Sequence, residues 1–498
     1  MSTVAIAVFA FFFLLVTVLG FVASRWRAGD LSSLDEWGLG GRRFGPFVTW
    51  FLLGGDLYTA YTVIAVPALV YGKGAFGFFA LPYTIVVFPI VYATMPRLWN
   101  VCRKHGYITL ADFAHGRHDS HWLGLVVAFT GVLATLPYIA LQLVGLQAVF
   151  GSLGFDVLPN GSEIALIVAF VILALYTYSS GLRAPALIAF VKDAMIYVFV
   201  GAAIVVIPLH LGGYASVFHA AERHFSSTVG SGILLAPGQQ MAFASLALGS
   251  AMALFLYPHA VTGVLSASSP QNLRRNAIYL PAYSFTLGLI ALLGYMAIAA
   301  GVTVENANDA VPALFHQVFP DWFFGFCMAA IALGALVPSA IMSIGAANLI
   351  TRNVWRPYIA PDMSAAHEST VAKVTSLMVK FGALLFVLFL PVRYALDLQL
   401  LGGIWMLQIF PAIILGLFTR WFSAAGLLWG WLVGMVLGSW LALSGGTVSP
   451  IHAVPVLGAV YIGLTALAVN LAVAVLVTLL SSGDRSSIVA EADFVDSV

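Results

Sequence analysis

The chain has 498 residues, of which 61% are hydrophobic and 8% are charged, and its mean hydropathy is +1.00. Soluble domains carry about 25% charged residues, so this composition excludes a soluble globular protein and indicates a polytopic membrane protein. The formal net charge of +1 argues against nucleic acid as a partner.

Apolar windows of about 20 residues, the length that crosses a bilayer, recur along the chain. The first window lacks a basic n-region and a clear cleavage site, which favours a first transmembrane helix over a removed signal peptide. In chain order the predicted spans are 3–23, 46–71, 75–96, 122–149, 162–180, 185–208, 240–262, 278–301, 323–350, 371–391, 398–418, 423–443 and 456–480. These thirteen spans predict one transmembrane domain over residues 1–483, and the polar, acidic cytoplasmic tail over 484–498 is predicted to be disordered.

Basic residues give the orientation. With the N-terminus outside, the outer loops hold only Lys73, Arg223 and Arg393. The inner loops then hold Arg25, Arg27, Arg42, Arg43, Arg97, Arg103, Lys104, Arg117, Arg183, Arg274, Arg275, Arg352, Arg356, Lys373, Arg420 and Arg485. This asymmetry follows the positive-inside rule and predicts a cytoplasmic C-terminus.

Asp56 lies inside the second predicted span, directly after Gly54 and Gly55. A carboxylate at bilayer depth is costly and usually faces a pathway or a partner. The two glycines weaken the helix and expose carbonyl groups that an ion can use. The pattern predicts a broken helix with a cation or substrate site, and the alternative is an aspartate that only bonds a neighbouring helix.

The seventh span is interrupted at a comparable depth, by Gly249-Ser250 and Pro258. Paired interruptions five spans apart predict two five-helix halves that run in opposite directions, with a site at the midplane. The halves cover about 46–208 and 240–418. The alternative is that Gly and Pro are simply common in membrane helices.

At this point the chain resembles the sodium:solute symporter family over nearly its whole length. The resembling segments are GGRRFGPFVTWFLLGGDLYTAYTV (40–63), GYITLADFAHGRH (106–118), YTYSSGLRAPALIAFVKDA (176–194), LSASSPQNLRRNA (265–277), ENANDAVPALF (305–315) and NLITRNVW (348–355). The second span looks most like the bacterial monocarboxylate permeases, which take up lactate, pyruvate and short fatty acids.

The resemblance implies an all-α protein with the LeuT-like inverted repeat of five plus five helices within 13 transmembrane helices. It implies a symporter in the bacterial inner membrane that imports small monocarboxylates such as lactate, pyruvate, acetate or propionate. The coupling ion would be sodium or a proton, with no other cofactor. Expected partners are the organic anion and the lipid bilayer, with no obligate protein partner.

The resemblance also implies a cation site at the break of the second span. Backbone carbonyls at Gly54 and Leu57 would bind the ion, with the Asp56 side chain between them. In the ninth span the family usually offers two hydroxyl residues, but the matching positions here hold valine and proline, with Ser339 one step beyond. Sodium prefers several hard oxygen ligands, so this departure weakens the expected metal site.

Lys192 and Asp193 stand where the family places a Thr-Asp pair near the cation. An ammonium group here could take the place of the metal, with Asp193 or Asp56 as counter-ion, and buried lysines are suited to carrying protons. The alternative is that Lys192 extends towards the cytoplasmic surface.

Substrate recognition would need an anion clamp at the two breaks, where half-helix N-termini point into the cavity. Interhelical hydrogen bonding is the alternative for each candidate residue. The candidates are Tyr58, Thr59 and Thr62 after the first break, Tyr257 and His259 near the second, and Tyr138 and Gln142 one turn apart in the fourth span.

Four other functions compete with this one: a symporter of another small solute such as an amino acid, a membrane enzyme, a transporter-like sensor and a passive channel. Composition does not exclude a channel, but the paired breaks and the midplane ionisable residues favour alternating access. Cys102 and Cys327 lie apart without metal-ligand spacing, and the scattered histidines form no catalytic constellation, so no enzyme is predicted. The short tail leaves no room for a signalling domain.

Overall fold

The computed structural model describes residues 2–26, 29–157, 159, 161–226, 228, 230–389, 395–481 and 486–495, without the side chains of 385–389. The first half of the chain forms α1 (Thr3–Val22), α2 (Leu34–Leu39), α3 (Pro46–Gly55), α4 (Val66–Lys73), α5 (Ala80–His105), α6 (Leu110–His118), α7 (His121–Ser152), α8 (Gly161–Ser180), α9 (Arg183–His210) and α10 (Tyr214–Phe225).

The second half begins with the two pieces of the seventh predicted span. Its helices are α11 (Gln240–Leu254), α12 (Pro258–Ser266), α13 (Pro270–Tyr279), α14 (Pro281–Ala291), α15 (Leu293–Ala299), α16 (Ala310–Val318), α17 (Asp321–Ile350), α18 (Arg356–Tyr358), α19 (Ala365–Phe389), α20 (Leu396–Met406), α21 (Phe410–Ile413), α22 (Ala424–Leu443) and α23 (Ile462–Leu480). Single turns of 3₁₀ or π helix join several of them.

Within the described residues, ten helices are long and apolar enough to cross a membrane, or up to eleven if α11 and α12 form one bent span. These helices match every predicted span except the second and the tenth. The second is divided between α3 and α4, and the tenth corresponds to α19, next to residues 390–394, which are not described. The predicted total of thirteen is therefore not confirmed.

The first break follows α3, which ends at Gly55 as predicted. Residues 56–59 form a turn, and a π turn over Tyr61–Ala65 precedes α4. Pro67 at the start of α4 has no N–H and crowds the preceding turn, which favours the wider i→i+5 bonding there. The backbone is therefore irregular from Asp56 to Ala65.

The second break separates α11 from α12, whose axes differ by 50°. Pro258 is the first residue of α12, and a proline pushes the residue before it away from helical geometry. Tyr257 is accordingly extended, with φ −61° and ψ 141°. The predicted pair of interrupted helices is present in the structure.

α17 forms the centre of the bundle, and its apolar window is 100% buried within the protein. It packs against α1, α7, α9, α12 and α19. At Gly345 only glycine allows this close packing, since a Cβ there would lie 2.7 Å from the backbone of Pro258; at Gly334 a Cβ would make an ordinary contact, 3.6 Å from the carbonyl oxygen of Tyr58. α17 thus lies against both breaks.

Two regions differ from the sequence prediction. Residues 451–461 form an antiparallel hairpin of β1 (Ile451–Val454) and β2 (Gly458–Tyr461), so that the last helix begins at Ile462 rather than at 456. The tail was predicted to be disordered, but its residues 486–495 pack against the protein, with Val489 and Phe494 buried. The prediction from composition is wrong for these residues because the acidic tail forms ion pairs with basic residues in loops that are distant in the sequence.

Asp493 is the most strongly held charge of the tail. Its carboxylate forms ion pairs with Lys104 and with His105, whose Nε2 lies 2.8 Å away. Desolvation alone would raise the pKa of Asp493, but hydrogen bonds from these two side chains outweigh it and lower the pKa to about 2.

We therefore expect the tail to remain docked under mildly acidic conditions. A lowered pKa contributes stability that is present above the ordinary aspartate pKa of about 4 and is lost as the pH falls towards 2. Hydrogen-exchange protection factors of 488–494 should match at pH 7 and pH 5 and drop in Asp493→Asn at both. The exposed Asp362→Asn is the control; equal protection in Asp493→Asn and wild type would contradict this role.

Candidate functional site

The first site is built around the Lys192 ammonium, in the middle of α9 and fully buried. Its Nζ donates to the backbone carbonyls of Gly55 at 2.5 Å and Tyr58 at 3.0 Å, and lies 2.9 Å from Asp193 Oδ1. The Tyr283 hydroxyl donates to Asp193 Oδ2 at 2.7 Å. We call these groups the lysine site.

The lysine site satisfies the irregular backbone of the first break. A carbonyl without a partner is costly inside a membrane, and the ammonium serves two of them at once. The alternative of an extended Lys192 is excluded because its Nζ is turned into the break. Gly54 allows this arrangement, since a Cβ there would lie 2.2 Å from the ring of Tyr283.

The predicted carbonyl ligands differ by one position from those in the lysine site. The Gly54 oxygen accepts from the Leu57 N–H at 2.9 Å, and the Leu57 oxygen accepts from the Thr62 hydroxyl. The carbonyls of Gly55 and Tyr58 face Lys192 instead. The tight turn after α3 sets these directions, which residue spacing alone does not reveal.

Ser339 makes no contact with the break among the described bonds. Its buried hydroxyl donates to the Ala335 carbonyl of its own helix at 2.8 Å. The part of α17 next to the Tyr58 carbonyl is Gly334, which has no side-chain oxygen. A complete set of sodium ligands from the predicted residues is therefore not assembled in this conformation.

The second site joins the two breaks. Asp56 Oδ2, in the first break, lies 3.4 Å from His259 Nε2, in the first turn of α12. The His259 ring packs against Tyr138 and Tyr257, each with a centroid distance of 5.3 Å. We call Asp56, His259, Tyr138 and Tyr257 the histidine site.

Several polar atoms at the histidine site are buried and lack a hydrogen-bond partner within the described structure. They are Asp56 Oδ1 and His259 Nδ1 and Nε2; the Tyr61 hydroxyl, in the π turn after the break and beside Tyr83, is also buried and unpaired. Buried polar groups are normally paired, so a group of unpaired ones marks a place for a ligand or water. Tyr61 was not predicted, because nothing in its neighbouring sequence separates it from ordinary packing.

The other predicted substrate residues stabilise the breaks. Gln142 Oε1 accepts from the Ala60 N–H at 3.0 Å, and Thr59 Oγ1 accepts from the Tyr61 N–H at 3.0 Å. The Thr62 hydroxyl donates to the Leu57 carbonyl. These bonds make Thr59, Thr62 and Gln142 part of the framework of the first break.

The two predicted tyrosines at the breaks have different surroundings. The Tyr58 ring packs with Tyr197 and Tyr283, at centroid distances of 5.6 and 4.4 Å, away from His259. The Tyr257 hydroxyl donates to the Gln399 carbonyl at 3.0 Å, which fixes the ring beside His259. Tyr257 therefore contributes its ring, rather than its hydroxyl, to the histidine site.

Comparisons with known proteins agree with this architecture. The sodium:solute symporter family matches residues 37–434. The chain belongs to that family. It is therefore a multi-pass membrane transporter of a small solute.

Two relatives extend this result. A protein of Rhizobium johnstonii named a monocarboxylate transport permease is 58% identical over 480 residues, covering 96% of both chains. An uncharacterised symporter of Bacillus subtilis, YodF, is 36% identical over 445 residues and 87% of both chains.

A solved structure supports the fold. The structure of a Na⁺-coupled sialic acid symporter superposes with a TM-score of 0.77 at 15% identity, covering 97% of this chain and 98% of that one. At this identity the likeness concerns the fold alone. The predicted LeuT-like inverted repeat is confirmed, and the broken α3–α4 and α11–α12 segments are its paired interrupted helices.

The lysine site predicts strong coupling between two substitutions. Lys192→Met or Asp193→Asn alone leaves one buried charge without its partner, which typically costs about 3–5 kcal/mol. The double variant removes both charges, so its free energy of unfolding should fall by less than the sum of the decreases in the two single variants. The measurement is the free energy of unfolding in detergent micelles.

Lys380 offers a matched control. It is also buried, but its Nζ donates to the Ser376 hydroxyl at 3.1 Å and has no carboxylate partner among the described residues. Lys380→Met should therefore lower the free energy of unfolding only slightly. Additive losses for Lys192→Met and Asp193→Asn would contradict the pairing.

Proposed function

We propose that the protein is a symporter that imports small monocarboxylates, such as lactate, pyruvate, acetate or propionate, across the bacterial inner membrane. The observation that carries this proposal is the group of unpaired buried polar atoms where the two breaks meet at Asp56 and His259. The name of the Rhizobium relative, at 58% identity, supports the same substrate class. The distribution of basic residues supports an outer N-terminus and a cytoplasmic C-terminus.

The surroundings of His259 suit a small organic anion. α12 begins at Pro258, so its positive dipole end and first-turn amide groups lie at the break and favour a carboxylate. The His259 imidazole can donate a hydrogen bond to that carboxylate. The rings of Tyr138 and Tyr257 pack on the imidazole and offer an apolar surface for the short tail of such an anion.

Asp56 would couple binding of the anion to binding of a cation. A substrate carboxylate held by His259 would lie close to the Asp56 carboxylate, and two negative charges in one buried site repel each other. One proton shared by Asp56 and His259, or one positive ion beside them, removes this repulsion. Anion binding and cation binding would thereby become mutually dependent.

Lys192 is proposed as the coupling group. Its ammonium binds the Gly55 and Tyr58 carbonyls, the type of ligand that a sodium ion would use at a broken helix. With Asp193 as its counter-ion, it would carry charge without a metal, which favours proton coupling. Family membership and the Na⁺-coupled structural neighbour favour sodium, so sodium is the second candidate.

Uptake of labelled lactate or pyruvate into proteoliposomes tests the proposal, with sodium and proton gradients imposed separately. We expect a proton gradient alone to drive accumulation in the wild type. Lys192→Ala should lose this accumulation, because the ammonium and its charge are gone from the break. Lys380→Ala removes a buried lysine outside the lysine site and serves as the control.

Each alternative gives a distinct result. Accumulation driven by sodium that persists in Lys192→Ala would overturn the role of the ammonium and leave monocarboxylate symport intact. Absence of uptake under both gradients would overturn the substrate class. Uptake of labelled alanine under the same gradients tests whether an amino acid is the substrate instead.

A second prediction concerns His259. His259→Gln retains one hydrogen-bond donor but cannot take up a proton, whereas His259→Leu removes both properties. We expect a raised KM for lactate in His259→Leu and a near-normal KM with a reduced accumulation ratio in His259→Gln. Equal behaviour of the two variants would mean that His259 only fills space.

A further inference from the structure

The described tail, residues 486–495, lies in a groove beside Arg97, Lys104, Arg117 and Arg420, which belong to loops predicted to face the cytoplasm. We call this the cytoplasmic groove; it is formed by the end of α5, by α6 and by residues 415–420. Phe494 is buried there between two guanidinium groups, with its ring 5.2 Å from Arg97 and 4.8 Å from Arg117. An acidic tail that was free in solution would not bury an aromatic ring.

Charge complementarity holds the tail on both sides of the groove. Asp493 pairs with Lys104 and His105 at the end of α5. Glu491 pairs with Arg117 of α6 and Arg420, each at 3.0 Å. The tail therefore connects three segments that are far apart in the sequence.

Backbone bonds add to this attachment. The N–H groups of Ile488 and Val489 donate to the Gly116 carbonyl of α6 at 2.8 and 3.3 Å. Arg420 donates to the Val489 carbonyl at 3.1 Å. The tail is thus bound through its side chains and its main chain.

The segments that the tail connects also contact one another directly. Arg97 of α5 donates to the Leu417 carbonyl at 3.0 Å, and Arg117 of α6 donates to the Gly416 carbonyl at 2.6 Å. α5 packs against α11 and α12, the two halves of the second broken span, and the helix α20, which leads to residues 415–420, packs against α7 and α11. Relative movement of α5, α6 and residues 415–420 would break these contacts and would stretch or release the tail.

α6 also lies near the second break. A narrow cavity of about 10 Å³, with room for about one water, is lined by Thr109 and Leu110 at the start of α6, by Pro258 and Thr262 of α12, and by Gly345 of α17. It therefore reaches from the second break to α6. The tail holds the other end of α6, at Gly116 and Arg117.

We propose that residues 488–494 act as a latch that holds the cytoplasmic groove together and restrains opening of the transport pathway to the cytoplasm. Docking keeps α5, α6 and residues 415–420 at their present spacing, so that the start of α6 stays against the second break. Release of the tail lets α6 and α5 separate. The latch thereby regulates the transport rate whatever the substrate or coupling ion, so it does not depend on the proposed substrate.

Reversible cross-linking tests the latch in the full-length chain. Lys104→Cys and Asp493→Cys replace an ion-paired contact, and a short bis-methanethiosulfonate reagent would bridge them. We expect the bridged protein to lose transport by about tenfold or more, because opening becomes limiting, and to recover when a reductant removes the bridge. Each single-cysteine variant with the same reagent controls for modification alone.

Removal of residues 488–498 gives the opposite change. We expect labelling of a Thr109→Cys reporter from the cytoplasmic side to rise by about tenfold, with faster exchange of substrate. A chain lacking only 496–498 is the matched control. Circular dichroism and elution as a single species would establish that the shortened chain is folded, and the cross-linked protein tests the latch even if it is not.

Two results would overturn the proposal. One is a bridged Lys104→Cys/Asp493→Cys protein that transports at the rate of its reduced form. The other is a folded shortened chain in which the Thr109→Cys reporter is labelled as slowly as in the full-length protein. Because both tests measure change relative to the same protein, a wrong substrate would abolish transport in every variant and leave the labelling result intact.

Discussion

The structure depends on one ammonium group at a broken backbone. A helix that stops at Gly55 leaves carbonyls that membrane lipid cannot satisfy, and Lys192 provides donors to two of them. Asp193 in turn compensates the buried charge of Lys192, and Tyr283 binds that carboxylate. Without this arrangement two carbonyls of the irregular segment would be buried without a donor. The turn that directs Asp56 towards the second break would then lose its stabilising bonds.

The second break depends on the first through α17 and through the Asp56–His259 pair. α17 lies against the Tyr58 carbonyl at Gly334 and, through the absence of a Cβ at Gly345, against Pro258, so one helix contacts both breaks. The pair lies where the two inverted halves meet. Rocking of one half against the other would change this contact, which suits it to respond to the direction in which the pathway opens.

Sequence reasoning located the features that rest on unusual residue types. Gly54-Gly55 and Pro258 marked the breaks, and the ionisable Lys192 and Asp193 proved to be partners inside the bundle. It missed the features that rest on backbone direction: the carbonyls facing Lys192 are one residue beyond those expected, and Gly334 stands where Ser339 was expected to contribute an oxygen. The docked tail was missed because its partners lie in other loops, and composition carries no information about such pairing.

The two proposals concern the same pathway. The proposed anion beside Asp56 would need a compensating positive charge, and Lys192 is bound to the residue that precedes Asp56 in the chain. Displacement of the ammonium would therefore move the Asp56 backbone directly. On the face that carries the tail, Ile488 and Val489 bind Gly116 of α6, and the start of α6 lines the small cavity beside Pro258. In the proposed mechanism, occupancy of the Asp56–His259 site and release of the tail would act on the same element, the α11–α12 break. Charge compensation inside the protein and the proposed latch would then control one movement.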